Sequence, residues 1–209
     1  MRDAAPVSSS PRATKAQEAR RRLLDAFIAL LAEGAADLSH DAVAAKAGVA
    51  RRTVYRYFGD RAALMEGALL RVREIAGPKV AYPRSADELL ETLEPIYTAF
   101  DAIAEIIIML RTTPQGRQLR LAQNAKRTAA YTRALSRSVR RLPKEDRKLA
   151  TAMLQVLHTT PWLEMRDHWG LNGRQIARAT GWAVRTLLAD LKRRGNLPLD
   201  RDVPEAAND

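Results

Sequence analysis

The fold is decided by residues 39–58, SHDAVAAKAGVARRTVYRYF, which predict two short helices joined by a glycine turn. Ser39 suits the position before the first helix, because its hydroxyl can accept a hydrogen bond from a backbone N–H of the first turn. Gly48 follows the last apolar position of that helix, and glycine ends helices because it adopts left-handed backbone angles without strain. Val49 and Val54 are the apolar anchors expected to hold the second helix against the first. The stretch therefore predicts a helix-turn-helix.

The second of these helices carries side chains suited to reading DNA. An α-helix fits the major groove, where an arginine can donate two parallel hydrogen bonds to a guanine edge. Arg51 and Arg52 lie in the first turn of this helix, and threonine and tyrosine hydroxyls can bond to base edges or phosphates. Asp60 is expected to cap the helix that follows, with Arg61 in its first turn. A cation there is unfavourable because it lies at the positive end of the helix dipole. The negative charge of a bound phosphate would offset this repulsion.

Residues 38–64 resemble the signature of TetR-family transcriptional regulators. The matching features are the Ala-Gly-Val turn at 47–49, Tyr55, the Tyr-Phe pair at 57–58, and the basic Arg61 with the Ala-Leu pair at 63–64. The resemblance implies a homodimeric repressor that binds a near-palindromic operator in double-stranded DNA and responds to a small-molecule effector. It implies base contacts from Arg51, Arg52, Thr53 and Tyr55, and phosphate contacts from Ser39, Arg56, Tyr57 and Arg61. The alternative is that these arginines form only a solvated helix face.

The rest of the chain is expected to be helical as well, because no alternating strand pattern occurs in it. We predict an all-α protein with an N-terminal three-helix DNA-binding domain and a larger helical domain for ligand binding and dimerisation. The expected order is a disordered arm over residues 1–13, the helix-turn-helix domain over 14–60, the regulatory domain over 61–195 and a polar tail over 196–209. A capping box at residues 14–17 is expected to begin the first helix.

Composition narrows the class of protein. The 209 residues carry a net charge of +11, which suits a polyanionic partner. Residues 1–77 hold only +4 of that charge and residues 78–209 hold +7, so the motif supports DNA binding better than the overall charge does. The chain has no cysteine, which excludes disulfides and thiolate metal sites. We find no secretory signal or membrane-spanning segment, and expect a cytoplasmic protein without a cofactor.

The larger domain offers candidates for dimerisation and for ligand binding. Apolar residues recur at three-to-four-residue spacing at 149–157 and at 176–191, as in the helices of a four-helix bundle between two subunits. Ligand pockets are mostly apolar with a few polar groups. The candidate lining residues are Tyr97, Phe100, Ile103, Ile107, Met109, His158, Trp162 and Met165. The alternative for both sets is ordinary intramolecular core.

Residues 111–148 contain 12 lysines and arginines and only two acidic residues. A solvated basic face accounts for this stretch, and the alternatives are an anionic ligand or DNA that flanks the operator.

The sequence offers two further classes of function. Glu164, Asp167 and His168 share a helix face, so a metal site that includes His158 is conceivable. No nucleophile–base set or phosphate loop accompanies it, so we expect neither an enzyme nor a metal site. A non-inducible architectural DNA-binding protein is the alternative function, and Arg51 and Arg52 at base-reading positions argue against it.

Overall fold

The computed structural model describes residues 11–77 and 81–203. Every regular element among them is a helix, which confirms the predicted all-α fold. The elements are α1 (Pro11–Ala32), α2 (His40–Ala47), α3 (Arg51–Tyr57), α4 (Arg61–Ala76), α5 (Ala86–Glu91), α6 (Leu93–Ala102), α7 (Ala104–Thr112), α8 (Pro114–Ala122), α9 (Asn124–Val139), α10 (Lys144–Thr159), α11 (Pro161–Trp169) and α12 (Gly173–Arg194). None of the helices described is long and apolar enough to span a bilayer. Residues 1–10 of the predicted arm and 204–209 of the predicted tail lie outside the described residues.

The described chain forms two compact units. The first comprises the residues up to Val72 together with Met109–Leu119, and the second comprises Arg73–Ile108 and the residues from Arg120 onward. In the first unit, α2 packs against both α1 and α3. Phe27, Val43 and Val54 contribute one fully buried side chain from each of these three helices. Burial of such side chains stabilises a fold by roughly 1.5–3 kcal/mol each, so this small core fixes the orientation of α3.

The second unit is built around α12, which packs against α6, α9, α10 and α11. Its principal core cluster includes Leu89, Leu135, Leu154 and Val184, each at most 1% exposed. The stripe predicted at 176–191 contributes to this interior rather than to a free surface, because Ile176 is fully buried. Periodicity shows that a helix has an apolar face, but it does not show what covers that face.

One helix boundary differs from the predicted one, and two others divide longer helical stretches. The first helix begins at Pro11 rather than at the predicted capping box, and proline suits a first helical position because its missing N–H needs no partner there. The sequence before residue 102 divides at Thr92 into α5 and α6, with Pro95 in the first turn of α6. α8 and α9 are separated at Gln123, whose φ of −99° and ψ of 7° leave the helical region.

Candidate nucleic-acid interface

Backbone caps at both ends of α2 position the predicted DNA-reading helix. The hydroxyl of Ser39 accepts a hydrogen bond from the N–H of Ala42 at 3.2 Å. Gly48 has a φ of +65°, and its N–H reaches the carbonyls of Ala44 and Ala45 at the end of the helix. Both observations confirm the predicted cap and turn. The turn fixes the direction in which the chain enters α3.

His40 ties the beginning of α2 to the end of α3. Its side chain is buried, and its Nε2 lies 2.9 Å from the carbonyl oxygen of Phe58. Because a carbonyl oxygen only accepts hydrogen bonds, Nε2 is the nitrogen that carries the hydrogen. The imidazole also stacks on the ring of Tyr55, with ring centroids 4.2 Å apart. The sequence placed His40 inside the motif, but its contacts with Phe58 and Tyr55 were not predicted. The only indication of them in the sequence was its position directly after the capping Ser39.

One side of α3 is left open to solvent. Arg51, Arg52, Tyr55 and Arg56 are exposed, whereas Val54 is fully buried. The exposed positions follow one another around the helix axis, because residues four apart lie on the same face. Thr53 and Tyr57, the remaining residues of α3 in the predicted set, are half-buried at the edges of this open side. The structure therefore brings together the arginines and the tyrosine predicted to face DNA.

Arg51 is already held by groups of the protein. Its Nε lies 2.9 Å from a carboxylate oxygen of Asp41 in α2, and its NH2 nitrogen donates to the Tyr55 hydroxyl at 3.3 Å. The hydrogen bond to Tyr55 and the charge of Asp41 raise the pKa of Arg51 above its ordinary value. Arg52 makes no ion pair in the described part of the chain, so its guanidinium is the freer of the two arginines.

The predicted phosphate-binding residues differ in their surroundings. Arg56 lies over the ring of Tyr57, with its guanidinium carbon 5.1 Å from the ring centroid. Arg61 is exposed in the first turn of α4, which Asp60 caps as predicted by accepting from the N–H of Ala63 at 2.8 Å. The hydroxyl of Ser39 donates to Asp37 at 2.9 Å. A phosphate at Ser39 would therefore have to displace a carboxylate.

Three of the eight predicted ligand residues are in contact with one another. The ring of Phe100 meets those of Tyr97 and Trp162 edge-on, at centroid distances of 6.1 and 5.8 Å. Tyr97 and Trp162 are fully buried, and the Tyr97 hydroxyl donates to the carbonyl of Leu157 at 2.6 Å. Of the other candidates, Ile107 and His158 are buried, Ile103 and Met165 are half-buried, and Met109 belongs to the first unit. The two cavities described in the second unit are lined by other residues.

The side chains considered for a metal site are separated. His168 pairs with Glu164 on the surface at 3.3 Å, whereas His158 is fully buried between Tyr131 and Thr92. Among the described residues, no group of three or more histidine, aspartate or glutamate side chains is arranged to hold a metal ion.

One protein-family model matches the region that contains this interface. Residues 23–68 match the family of bacterial regulatory proteins of the tetR type, a segment that includes the C-terminal part of α1, all of α2 and α3, and the first half of α4. No curated protein matches the chain significantly. A solved structure, that of the multidrug binding protein EbrR complexed with imidazole, is similar at 21% sequence identity and a TM-score of 0.43. The match covers 88% of this chain and 98% of that one.

Proposed function

We propose that this chain, whose residues 23–68 match the tetR family of bacterial regulatory proteins, represses transcription as a homodimer on a near-palindromic operator and is released by a small molecule. The observation that carries this proposal is the open side of α3, where three arginines and Tyr55 face solvent from a helix fixed by buried contacts. Such a helix fits the major groove. DNA is the partner, so we place the protein in the cytoplasm.

Exposed apolar residues on the last helices support the homodimer. Leu149, Met153 and Val156 of α10 are 58%, 52% and 44% exposed, and they recur at the spacing of a single helix face. Trp182 of α12 is 69% exposed, and α12 packs against α10. Large apolar side chains exposed in this way are typical of surfaces that a partner covers. A second copy would place two reading helices on one side of the duplex, roughly 34–36 Å apart.

The response to a small molecule is proposed to act through α4. This helix carries Arg61 in its first turn, and its last residues, from Arg73 onward, belong to the second unit. A ligand that stabilises one arrangement of the second unit would change the position of α4, and thereby the spacing of the two reading helices. Such a ligand shifts the equilibrium only by its difference in affinity for the two arrangements.

The test is DNA binding by the purified protein across a salt series, using the DNA upstream of its own gene and a scrambled duplex. We expect Arg52→Ala to lose about 1–3 kcal/mol of discrimination between the two duplexes. Arg56→Ala should instead weaken binding to both duplexes and lower the salt slope by about 1. The control is Arg141→Ala, which removes the same charge from an exposed position of the second unit.

The architectural alternative gives the opposite result. A protein that recognises only the phosphate backbone would bind both duplexes equally, with an affinity set by salt. In that case Arg52→Ala and Arg56→Ala would have the same effect, and the proposal of a specific operator would be wrong. If Arg52→Ala loses discrimination between the duplexes and Arg56→Ala weakens binding to both equally, the result would instead support base reading by Arg52.

A further inference from the structure

A cavity of about 520 Å³ in the second unit is lined by several cations. Arg73, Arg84, Lys126 and Arg133 contribute to its wall, and none of its eight lining residues is acidic. Binding sites for small molecules commonly measure roughly 300–1,000 Å³, so the cavity has a suitable size. The predicted ligand residues do not line it, and it is distinct from the DNA-reading side of α3.

Arg73 is held in place by Tyr82. Its NH2 nitrogen donates to the hydroxyl of Tyr82 at 2.5 Å, and its guanidinium carbon lies 4.6 Å from the centre of that ring. Tyr82 in turn contacts Tyr131 edge-on, at a centroid distance of 6.2 Å. The Tyr82 hydroxyl accepts from Arg73 and retains its own hydrogen for donation. Arg73 and Tyr82 therefore form a pair of oriented donors with a full positive charge.

One face of α9 also contributes to the cavity wall. Lys126, Ala130 and Arg133 lie at positions i, i+4 and i+7, which share a helix face. Neither Lys126 nor Arg133 makes an ion pair within the described residues. Of the four cations, only Arg84 has a carboxylate partner, Glu88, at 3.0 Å. Three positive charges around one cavity repel each other unless an anion compensates them.

The cavity also offers an apolar surface. Pro83 is buried beside Tyr82, and Ala81 and Ala130 supply small side chains. An inorganic ion would satisfy the cations and leave this surface without a partner. A molecule with one anionic group and a flat apolar part would satisfy both.

We propose that this cavity binds a small organic anion whose carboxylate or phosphate lies between Arg73, Lys126 and Arg133, with its apolar part against Tyr82 and Pro83. Guanidinium groups suit both headgroups, because they can donate two parallel hydrogen bonds to a pair of oxygens. That such an anion is also the effector rests on the proposed function, whereas its binding does not.

The test is isothermal titration calorimetry of the full chain without DNA, using benzoate and phenyl phosphate as probes. Benzamide is the matched control ligand, because it has the shape of benzoate and no charge. We expect saturable binding of at least one anion at millimolar concentration or tighter, and at least about tenfold weaker binding of benzamide. Arg133→Gln and Lys126→Gln should each weaken the anion by about tenfold, which equals about 1.4 kcal/mol.

The control variant is Arg137→Gln, which removes an equal charge one turn further along α9, outside the cavity. It should keep the affinity of the wild type. The three residues are exposed, so all variants should fold, which thermal melts can verify. The proposal is overturned if no anion binds, if benzamide binds as well as benzoate, or if all three variants lose affinity equally.

Adding DNA to the same samples separates this inference from the proposed function. If the anions bind but the protein shows no selectivity for its operator, the proposed anion site stands and the proposed regulatory function is wrong. If no anion binds and Arg133→Gln weakens DNA binding, these cations contact DNA that flanks the operator, and the proposed anion site is wrong.

Discussion

At the scale of single residues, His158 shows how a buried polar group is satisfied. Thr92 donates its hydroxyl hydrogen to the carbonyl of Glu88 at 2.6 Å, so it can only accept from Nε2 of His158, 2.9 Å away. Nδ1 is then left to accept from the hydroxyl of Tyr131, at 2.5 Å. The ring is therefore neutral with its hydrogen on Nε2. Burial lowers the pKa of His158 to about 4, and burial likewise raises the pKa of Tyr131.

This arrangement makes stability depend on pH. The folded pKa of His158 is below the ordinary value of 6.5, so the unfolded chain takes up a proton first as the pH falls. The contribution of the neutral, buried His158 to the free energy of unfolding is fully present above pH 6.5 and is lost as the pH falls toward 4. Between pH 8 and pH 5 we expect a loss of about 2 kcal/mol in the free energy of unfolding from this group.

The measurement is urea unfolding at several pH values for the wild type and His158→Gln. The variant is less stable at neutral pH because it loses the two hydrogen bonds of the imidazole. Its stability should nevertheless fall less steeply between pH 8 and pH 5. Equal slopes for the two proteins would contradict the assignment of a neutral, buried His158.

Gly173 illustrates a position where no side chain fits. A Cβ there would lie 2.5 Å from the carbonyl carbon and oxygen of Tyr97 and 2.8 Å from a carboxylate oxygen of Asp101. Asp101 accepts hydrogen bonds from the Gly173 N–H at 2.6 Å and from the indole N–H of Trp162 at 2.8 Å. One carboxylate thus joins the beginning of α12 to α6 and α11.

We expect Gly173→Ala to lower the free energy of unfolding by about 3 kcal/mol or more, because backbone atoms would have to move. Arg174→Ala, at the next and exposed position, is the control and should change stability by less than about 1 kcal/mol. Thermal or urea unfolding measures both. A small effect at Gly173 would mean that α6 and α12 pack less closely than described.

At the scale of elements, helix ends were predictable where a short-range cap decides them. Ser39 and Gly48 act as caps where the sequence placed them. The division at Gln123 could not be predicted, because no glycine or proline marks it. Long-range packing sets such a break, and the sequence around residue 123 does not show it.

The candidate DNA-reading residues could be predicted because the motif is local. The ion pair of Arg51 with Asp41 could not, since it depends on how α2 and α3 pack. Of the cavity cations, only Lys126 and Arg133 belong to the basic stretch that the sequence marked at 111–148. Arg73, Tyr82 and Arg133 come from three separate segments, and only the fold brings them together.

The turn at Gly48 permits a further test of element geometry. A Cβ at Gly48 would meet no other atom within 4 Å, but its φ of +65° is strained for other residues. We expect Gly48→Ala to lower the free energy of unfolding by about 1–2 kcal/mol. Gly48→Asn should have a smaller effect, because asparagine tolerates left-handed angles better. Equal losses in urea unfolding would indicate a cause other than backbone strain.

At the scale of the whole molecule, the proposed dimer makes a prediction of its own. Met153→Glu would place a charge on the exposed apolar face of α10, and burial of an unpaired charge is unfavourable. We expect the dissociation constant of the dimer to rise by about 100-fold, or roughly 3 kcal/mol. Light scattering after gel filtration measures this change. DNA affinity should fall together with it, because a monomer binds only one half-site.

Gln155→Glu is the matched control for that experiment. It adds the same charge to the same helix at a half-buried position outside the exposed stripe. It should leave the oligomeric state of the wild type unchanged. A Met153→Glu protein that remains dimeric would show that subunits associate through some other surface.

The ion pair between Arg51 and Asp41 also bears on how fast such a protein would find its operator. A regulator slides and hops along many wrong sequences before it meets the right one. If Arg51 contacts DNA as proposed, it would keep its carboxylate on wrong sequences and add little to residence time there, whereas a correctly placed guanine would draw the guanidinium away. Competition from the Asp41 carboxylate would therefore shorten the residence time on each wrong sequence and leave the residence time on the operator long.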